Sequence, residues 1–183
     1  QVGDTGVLEY NGAKIRITDT QKENNLIVHF CDQLPADVNA LFTARVDFAR
    51  RSLITRNHSA THLMHAALRK VLGTHVAQKG SLVNDEYTRF DFSHFAKVTD
   101  EEVHQIEVLV NEKIRENIAL NEQRNVPIKQ AQESGAMALF GEKYGEFVRM
   151  ITFDRNFSVE LCGGTHVKAT GEIGYFKIVG ESS

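Results

Sequence analysis

The sequence predicts an α+β protein, on three observations. Short strand-like stretches crowd into residues 3–50, a long apolar stripe with helical spacing follows Thr99, and further strand-like stretches flank that stripe.

Residues 6–10 and 13–18 flank Asn11-Gly12, a turn whose two residues tolerate positive φ, which predicts a β-hairpin. Residues 26–31 are a compact apolar run of strand length, and 44–48 alternates in the same way. Four short strands with turn signals between them suggest a small barrel or half-barrel. His29 and Cys31 share a face of the third strand, where packing inside the barrel is the expected role. Arg50, Arg51 and Arg56 gather where β structure gives way to helix. Such a run is ordinarily solvated, and phosphate contact is its second reading.

A first helix is expected from Asn57, as N-cap, to Leu72, stopped by Gly73, with Leu63, Ala67, Leu68 and Val71 on its packed side. Residues 78–81 read as a turn leading into Leu82-Val83. Residues 87–92 alternate as a strand that puts Arg89 and Asp91 on one face, by default a surface ion pair of small energetic worth. Thr99-Asp-Glu-Glu102 is a capping box, and Val103, Ile106, Val110, Ile114 and Ile118 mark the apolar stripe of the long helix behind it, ending near 117–119. Strand-like residues run to Val126, Pro127 opens a short helix that Gly135 ends, and 147–153, 157–161 and 173–179 read as strands.

A chain of 183 residues holds one medium domain, or a small one beside a larger one. A 42% hydrophobic and 25% charged composition is that of a soluble globular protein, no apolar run reaches membrane-spanning length, and the amino end has no signal-peptide pattern. Two cysteines far apart make no disulfide framework, which fits a reducing, cytoplasmic setting. The net charge of −3 argues against a globally basic nucleic-acid binder, so any such contact must come from a local patch. With no landmarks at either terminus, the chain reads as a piece of a longer one.

The chemistry concentrates in His58-Ser-Ala-Thr-His62 and Cys162-Gly-Gly-Thr-His166. Two imidazoles four apart on a helix project from one face. A thiol and an imidazole four apart across two glycines suit a tight loop at a strand end. Each pair alone is common in proteins without metal. Both together, in a chain with two cysteines and eight histidines, give the ligand set of a first-row metal, foremost zinc. If all four bind, the set is closed and structural; if one is displaced, the open position takes water or a substrate group. The glutamate of a zinc protease is missing, since Ser59 and Ala60 occupy the positions after His58. His65, one turn beyond His62, is expected to support the site or lie at the surface. Gly163 and Gly164 leave backbone N–H groups beside the metal, suited to a carboxylate or developing oxyanion, although one of them is expected only to allow the turn.

These motifs, with Arg56-Asn-His-Ser-Ala-Thr-His62-Leu, Gln78-Lys-Gly-Ser81, Arg89-Phe-Asp-Phe92, Gly135-Ala-Met-Ala-Leu-Phe-Gly-Glu-Lys143 and Glu160-Leu-Cys-Gly-Gly-Thr-His166, resemble the editing domain of alanyl-tRNA synthetases. The resemblance spans essentially the whole chain, including Gly3-Asp-Thr-Gly6 and Asp19-Thr-Gln-Lys22. The metal half-motifs are also similar to those of stand-alone alanyl-tRNA trans-editing proteins and, more loosely, of the threonyl-tRNA synthetase editing domain.

The resemblance implies a small N-terminal β-barrel over residues 1–51, packed on an α/β editing domain over 52–183 with an antiparallel sheet and a long amphipathic helix. It implies Zn2+ as cofactor, held by His58, His62, Cys162 and His166, and hydrolysis of tRNA(Ala) wrongly carrying serine or glycine. By the same resemblance Cys162, His166 and Gln78 take part in the chemistry. Gln78, Gly80, Arg89, Asp91, Gly163 and Gly164 line the substrate site, and Arg50, Arg51 and Arg56 are weaker candidates for tRNA contact. The implied partners are the tRNA(Ala) acceptor end and the remainder of a synthetase chain, with no membrane. Nothing in the chain resembles an ATP-dependent, adenylate-forming catalytic domain. Two other readings stand beside this one: a tRNA-docking module whose zinc only holds the fold, and a free-standing trans-editing deacylase.

Overall fold

The structure, a computed structural model, describes residues 1–24, 26–138 and 144–182; residues 139–143 of the Gly135–Lys143 motif lie outside them. Strands β1 (Gly6–Tyr10) and β2 (Ala13–Glu23) form the expected hairpin, with Asn11 at φ 47° and Gly12 at φ 78°. With β3 (Leu26–Cys31) and β4 (Thr43–Val46) they make an antiparallel sheet in the order β3-β2-β1-β4. The strand count agrees with the sequence, but the closed barrel does not form. Closure needs the two end strands to pair with each other, and among the described residues β3 pairs only with β2 and β4 only with β1. His29 is accordingly exposed and Cys31 only partly buried, instead of packing inside a barrel.

Helix α1 (Phe48–Leu72) starts well before the expected Asn57. Asp47 is the N-cap, its carboxylate accepting the Arg50 N–H at 3.0 Å, and nothing in 48–56 breaks a helix. Residue 48, read as the end of a strand, is therefore helical, and position 51 lies inside the helix. Asn57, with no helix end to cap, donates from its side chain across to the Asn84 carbonyl at 2.8 Å. Gly73, at φ 117°, ends the helix as its sequence position predicts. The run from Ser59 to Leu68 is buried on every side, the pattern of a helix at the centre of a domain.

Around it pack a hairpin of β5 (Gln78–Val83) and β6 (Thr88–Phe92), helix α2 (Asp100–Arg115), and a sheet of β7 (Asn121–Pro127), β8 (Phe147–Asp154) and β9 (Ser158–Leu161) in sequence order. Residues 78–81, expected as a turn, are the first part of β5. They can pair because β6 lies alongside, with a register shift between Gln78 and Gly80. Thr99 caps α2 in the capping box, and α3 (Ile128–Glu133) follows Pro127 and ends before Gly135 at φ 80°. Leu63, Ala67, Val76, Ile106, Val110 and Ile151, each fully buried, form the centre of the core. No helix among the described residues is long and apolar enough to cross a membrane.

The expected strand over 173–179 is absent. Thr170–Ile173 is a 3-10 turn, and the segment after it finds its hydrogen bonds on side chains of α2 rather than on a neighbouring strand. The Asn111 amide donates to the Phe176 carbonyl at 2.8 Å and accepts the Phe176 N–H at 3.0 Å. Glu107 accepts the Ile178 N–H at 2.7 Å and the Lys177 ammonium at 2.8 Å. Asn111→Ala leaves a buried N–H and C=O of Phe176 unpaired. It is expected to lower stability by about 1–3 kcal/mol, read as a shift of the urea midpoint at constant slope.

Candidate metal centre

The two sequence motifs meet. His58, His62 and Cys162 with His166 each offer one ligand atom, and these atoms all lie within 4.8 Å of one another. Nε2 of His58 is 3.6 Å from the Cys162 sulfur and Nε2 of His166 is 3.4 Å from it. The helix and the strand explain the convergence. His58, His62 and His65 recur at i, i+4 and i+7 on α1, while Glu160 and Cys162 are two apart and leave β9 on one face. The strand lies against that face of the helix, with Cys162 opposite His58 and Glu160 opposite His62 and His65.

Two of the imidazoles have Nδ1 in a hydrogen-bond contact and the third has it beside a carboxylate, which leaves Nε2 for the centre. His58 Nδ1 is 3.2 Å from the Thr165 carbonyl, His166 Nδ1 is 3.1 Å from the Ser59 hydroxyl, and His62 Nδ1 is 3.3 Å from Glu160. A carbonyl can only accept, so the proton of His58 belongs on Nδ1 and Nε2 carries the lone pair a metal needs, and the carboxylate beside His62 Nδ1 favours the same tautomer there. Ser59 Oγ also accepts the Val167 N–H at 3.0 Å, tying the helix motif to the loop motif.

The electrostatics suit the same ligands. Burial, followed by the neighbouring His62, holds His58 down to about 3. Burial also lowers His62, although Glu160 opposes it, and lowers His166 together with the two other imidazoles. All three are therefore neutral at ordinary pH. Burial pushes the Cys162 thiol up, against a hydrogen bond from the Gly164 N–H at 3.4 Å. A thiol so placed becomes an anion only with a cation beside it. Three neutral Nε2 donors and one thiol fit a zinc ion.

Residues 148–183 match the family described as threonyl and alanyl tRNA synthetase second additional domain. Over its whole length the chain is 65% identical to an alanine–tRNA ligase of Cytophaga hutchinsonii and 58% identical to one of Parabacteroides distasonis, covering 21% of each relative. A similar match, 55% identical over 192 residues and again 21% of the relative, is to an alanine–tRNA ligase of Flavobacterium psychrophilum. The chain is thus similar over its whole length to one segment of alanine–tRNA ligases. It spans about a fifth of the length of the ligases it matches, and the resemblance read from its motifs is borne out.

The two loop glycines differ in role. A Cβ on Gly164 would fall far inside contact distance of the His58 ring, whereas one on Gly163 would meet nothing within 4 Å. Gly164→Ala is expected to weaken zinc binding at least about tenfold by displacing His58, and Gly163→Ala to leave it unchanged, in competition titrations with a chromophoric chelator.

The other anticipated residues sit on neighbouring elements. Gln78, Gly80, Arg89 and Asp91 lie on the β5–β6 hairpin, which Thr61 fastens to the metal helix through the Thr88 hydroxyl at 2.7 Å. Gln78 donates to Ser81 Oγ at 3.3 Å. Arg89 and Asp91 form the exposed pair expected, at 3.0 and 3.2 Å, and a Cβ on Gly80 would crowd Asp91 Oδ2 at 2.8 Å. Arg50 donates to the Gly3 carbonyl and pairs with Asp85, and Arg51 pairs with Asp4, while Arg56 is exposed.

Four contributors went unread in the sequence: Ser59, Thr165, Glu160 and Arg149. Arg149 donates to the carbonyls of Cys162 and Gly164 and pairs with Glu122, so it braces the ligand loop from β8. Its hydrogen bond first, and that of Arg124 next, draw the Glu122 carboxyl down to about 2. The only signal available was Glu160 two before Cys162 in a strand.

Proposed function

We propose that this segment hydrolyses tRNA(Ala) that wrongly carries serine or glycine, with zinc held by His58, His62, Cys162 and His166. The observation that supports the reading best is the convergence of those four donors, within 4.8 Å, in a chain similar to a segment of alanine–tRNA ligases. The chemical need is general. A pocket shaped for alanine rejects glycine by one methyl, about 1–3 kcal/mol, and rejects an added hydroxyl poorly, so a second site must remove the wrong ester.

Zinc in this cluster would supply Lewis acidity, polarising the ester carbonyl or making a bound water acidic. The chain's own residues do the rest in this reading. Cys162 and His166 hold the catalytic centre in the loop, and Gln78 offers its amide to the serine hydroxyl. The Gly164 N–H is committed to the Cys162 sulfur, so the exposed Gly163 is the better N–H donor to the ester's developing negative oxygen. Gly80 leaves room for Asp91, and the Arg89–Asp91 pair faces the terminal adenosine. Arg56 suits a phosphate better than Arg50 or Arg51, whose charges are paired within the chain. The partners are then the acceptor end of tRNA(Ala) and the rest of a ligase chain in the cytoplasm, with 1–51 and 52–183 as the two subdomains.

The test is ester hydrolysis on tRNA(Ala) charged with serine, glycine or alanine. Seryl and glycyl esters are expected to be cleaved at least about 100-fold faster than alanyl, with activity lost to chelator and regained with zinc. A second reading, zinc as a purely structural tie, is favoured by the mutual closeness of all four donors. It requires that chelation unfold the chain, whereas a catalytic ion leaves the circular dichroism intact while hydrolysis stops.

A further inference from the structure

Glu160 is an acidic side chain in the interior. Its residue is 4% exposed, and its two oxygens lie 3.3 Å from Nδ1 of His62 and 3.3 Å from Nδ1 of His65. These approaches are of ion-pair distance: neither Nδ1 atom nor Oε1 of Glu160 makes a hydrogen bond among the described residues, and His65, 2% exposed, also leaves its Nε2 unpaired beside the Phe90 ring at 5.0 Å. A buried carboxylate between two imidazoles is a costly way to fill space, since an apolar trio of similar volume is commonly at least as stable. The arrangement therefore calls for a role that packing does not supply.

The geometry points to Glu160 as a positioning residue for the metal centre. Braced by His65 on one side, its carboxylate keeps the proton of His62 on Nδ1 and so turns Nε2 of His62 toward the ion. The inference rests on the zinc reading of the cluster. In that reading the charges also balance: a thiolate and the Glu160 carboxylate together match a divalent cation, so the loaded site sits neutral in the low-dielectric interior. His65 then belongs to the site without being a ligand. It holds the carboxylate that holds the ligand.

Zinc affinity of the chain, measured by competition with a chromophoric chelator, tests this with Glu160→Gln, His65→Leu, the double variant and His58→Ala as a ligand-loss control. Glu160→Gln is expected to lose about 10–100-fold in affinity and His65→Leu less. The double variant is expected to lose less than the sum, because both act on one carboxylate. Glu160→Asp should recover part of the loss. If His58→Ala abolishes binding but Glu160→Gln and His65→Leu bind as the unaltered chain does, the positioning role is overturned while the zinc reading survives. If the unaltered chain binds no zinc, both fall. Should the variants not fold, 15N chemical shifts of His62 in the zinc-loaded, unaltered chain decide. A protonated Nδ1 with metal on Nε2 supports the inference, and metal on Nδ1 overturns it.

Discussion

Cys162→Ala is expected to lower zinc affinity by more than the roughly 100-fold that loss of an outer partner costs, and to reduce hydrolysis of seryl-tRNA(Ala) to the level of the chelated chain. The thiol is the one ligand that becomes an anion, and it lies 3.4 to 3.6 Å from two of the imidazole nitrogens. Removing it leaves three neutral donors, a set that holds a divalent cation far less tightly. The metal-free fold should barely notice. Cys162 is only partly buried at the edge of the core, and its backbone N–H keeps its bond to the Arg149 carbonyl at 3.1 Å. The pairing of measurements matters: zinc content by metal analysis, and deacylation on the same sample. A variant without zinc that still cleaves the seryl ester would take the metal out of the chemistry and leave it a structural part.

The local signals that proved legible were those written in short range. Asn11-Gly12, the Thr99 capping box and Gly73 each act through a few adjacent residues, and each does what its sequence position suggests. The four ligand candidates were legible for a related reason, since spacing of four on a helix, or across a glycine loop, fixes direction without knowledge of the partner. What failed depended on distant pairing. Gln78–Ser81 reads as a turn until β6 lies beside it, and 173–179 reads as a strand until the side chains of Asn111 and Glu107 take its hydrogen bonds. The barrel failed likewise, because four strands say nothing about whether the first and last edges meet. Asn57 misled by being a good cap residue in a helix already capped at Asp47. Ser59 and Glu160 stayed hidden because each matters only through a histidine that the fold delivers from another element.

Zinc binding to the folded chain is expected to weaken about tenfold for each unit the pH falls between roughly 7.5 and 5.5, a slope of about one proton. Four free ligands of this kind would give a steeper dependence below about pH 6.5, where an ordinary imidazole takes up its own proton. Here the imidazoles have been emptied in advance. Burial holds His58 down to about 3, and lowers His62 and His166 as well, so the raised Cys162 thiol is the main group that exchanges a proton for the metal across this range. The same displacement has an opposite consequence for the metal-free fold. Below about pH 6.5 the unfolded chain binds protons on these histidines that the folded chain refuses, so stability falls as the pH drops. The loss contributed by His58 is complete only once the pH passes below about 3. Each such proton steepens the decline by about 1.4 kcal/mol per pH unit. Calorimetry of zinc binding in buffers of different ionisation enthalpy counts the released protons, and urea titrations of the metal-free chain follow the second effect. A release of three or four protons at pH 6 would mean that the imidazoles are solvated and apart, which is incompatible with rings packed at centroid distances of 4.5 to 5.1 Å around one sulfur.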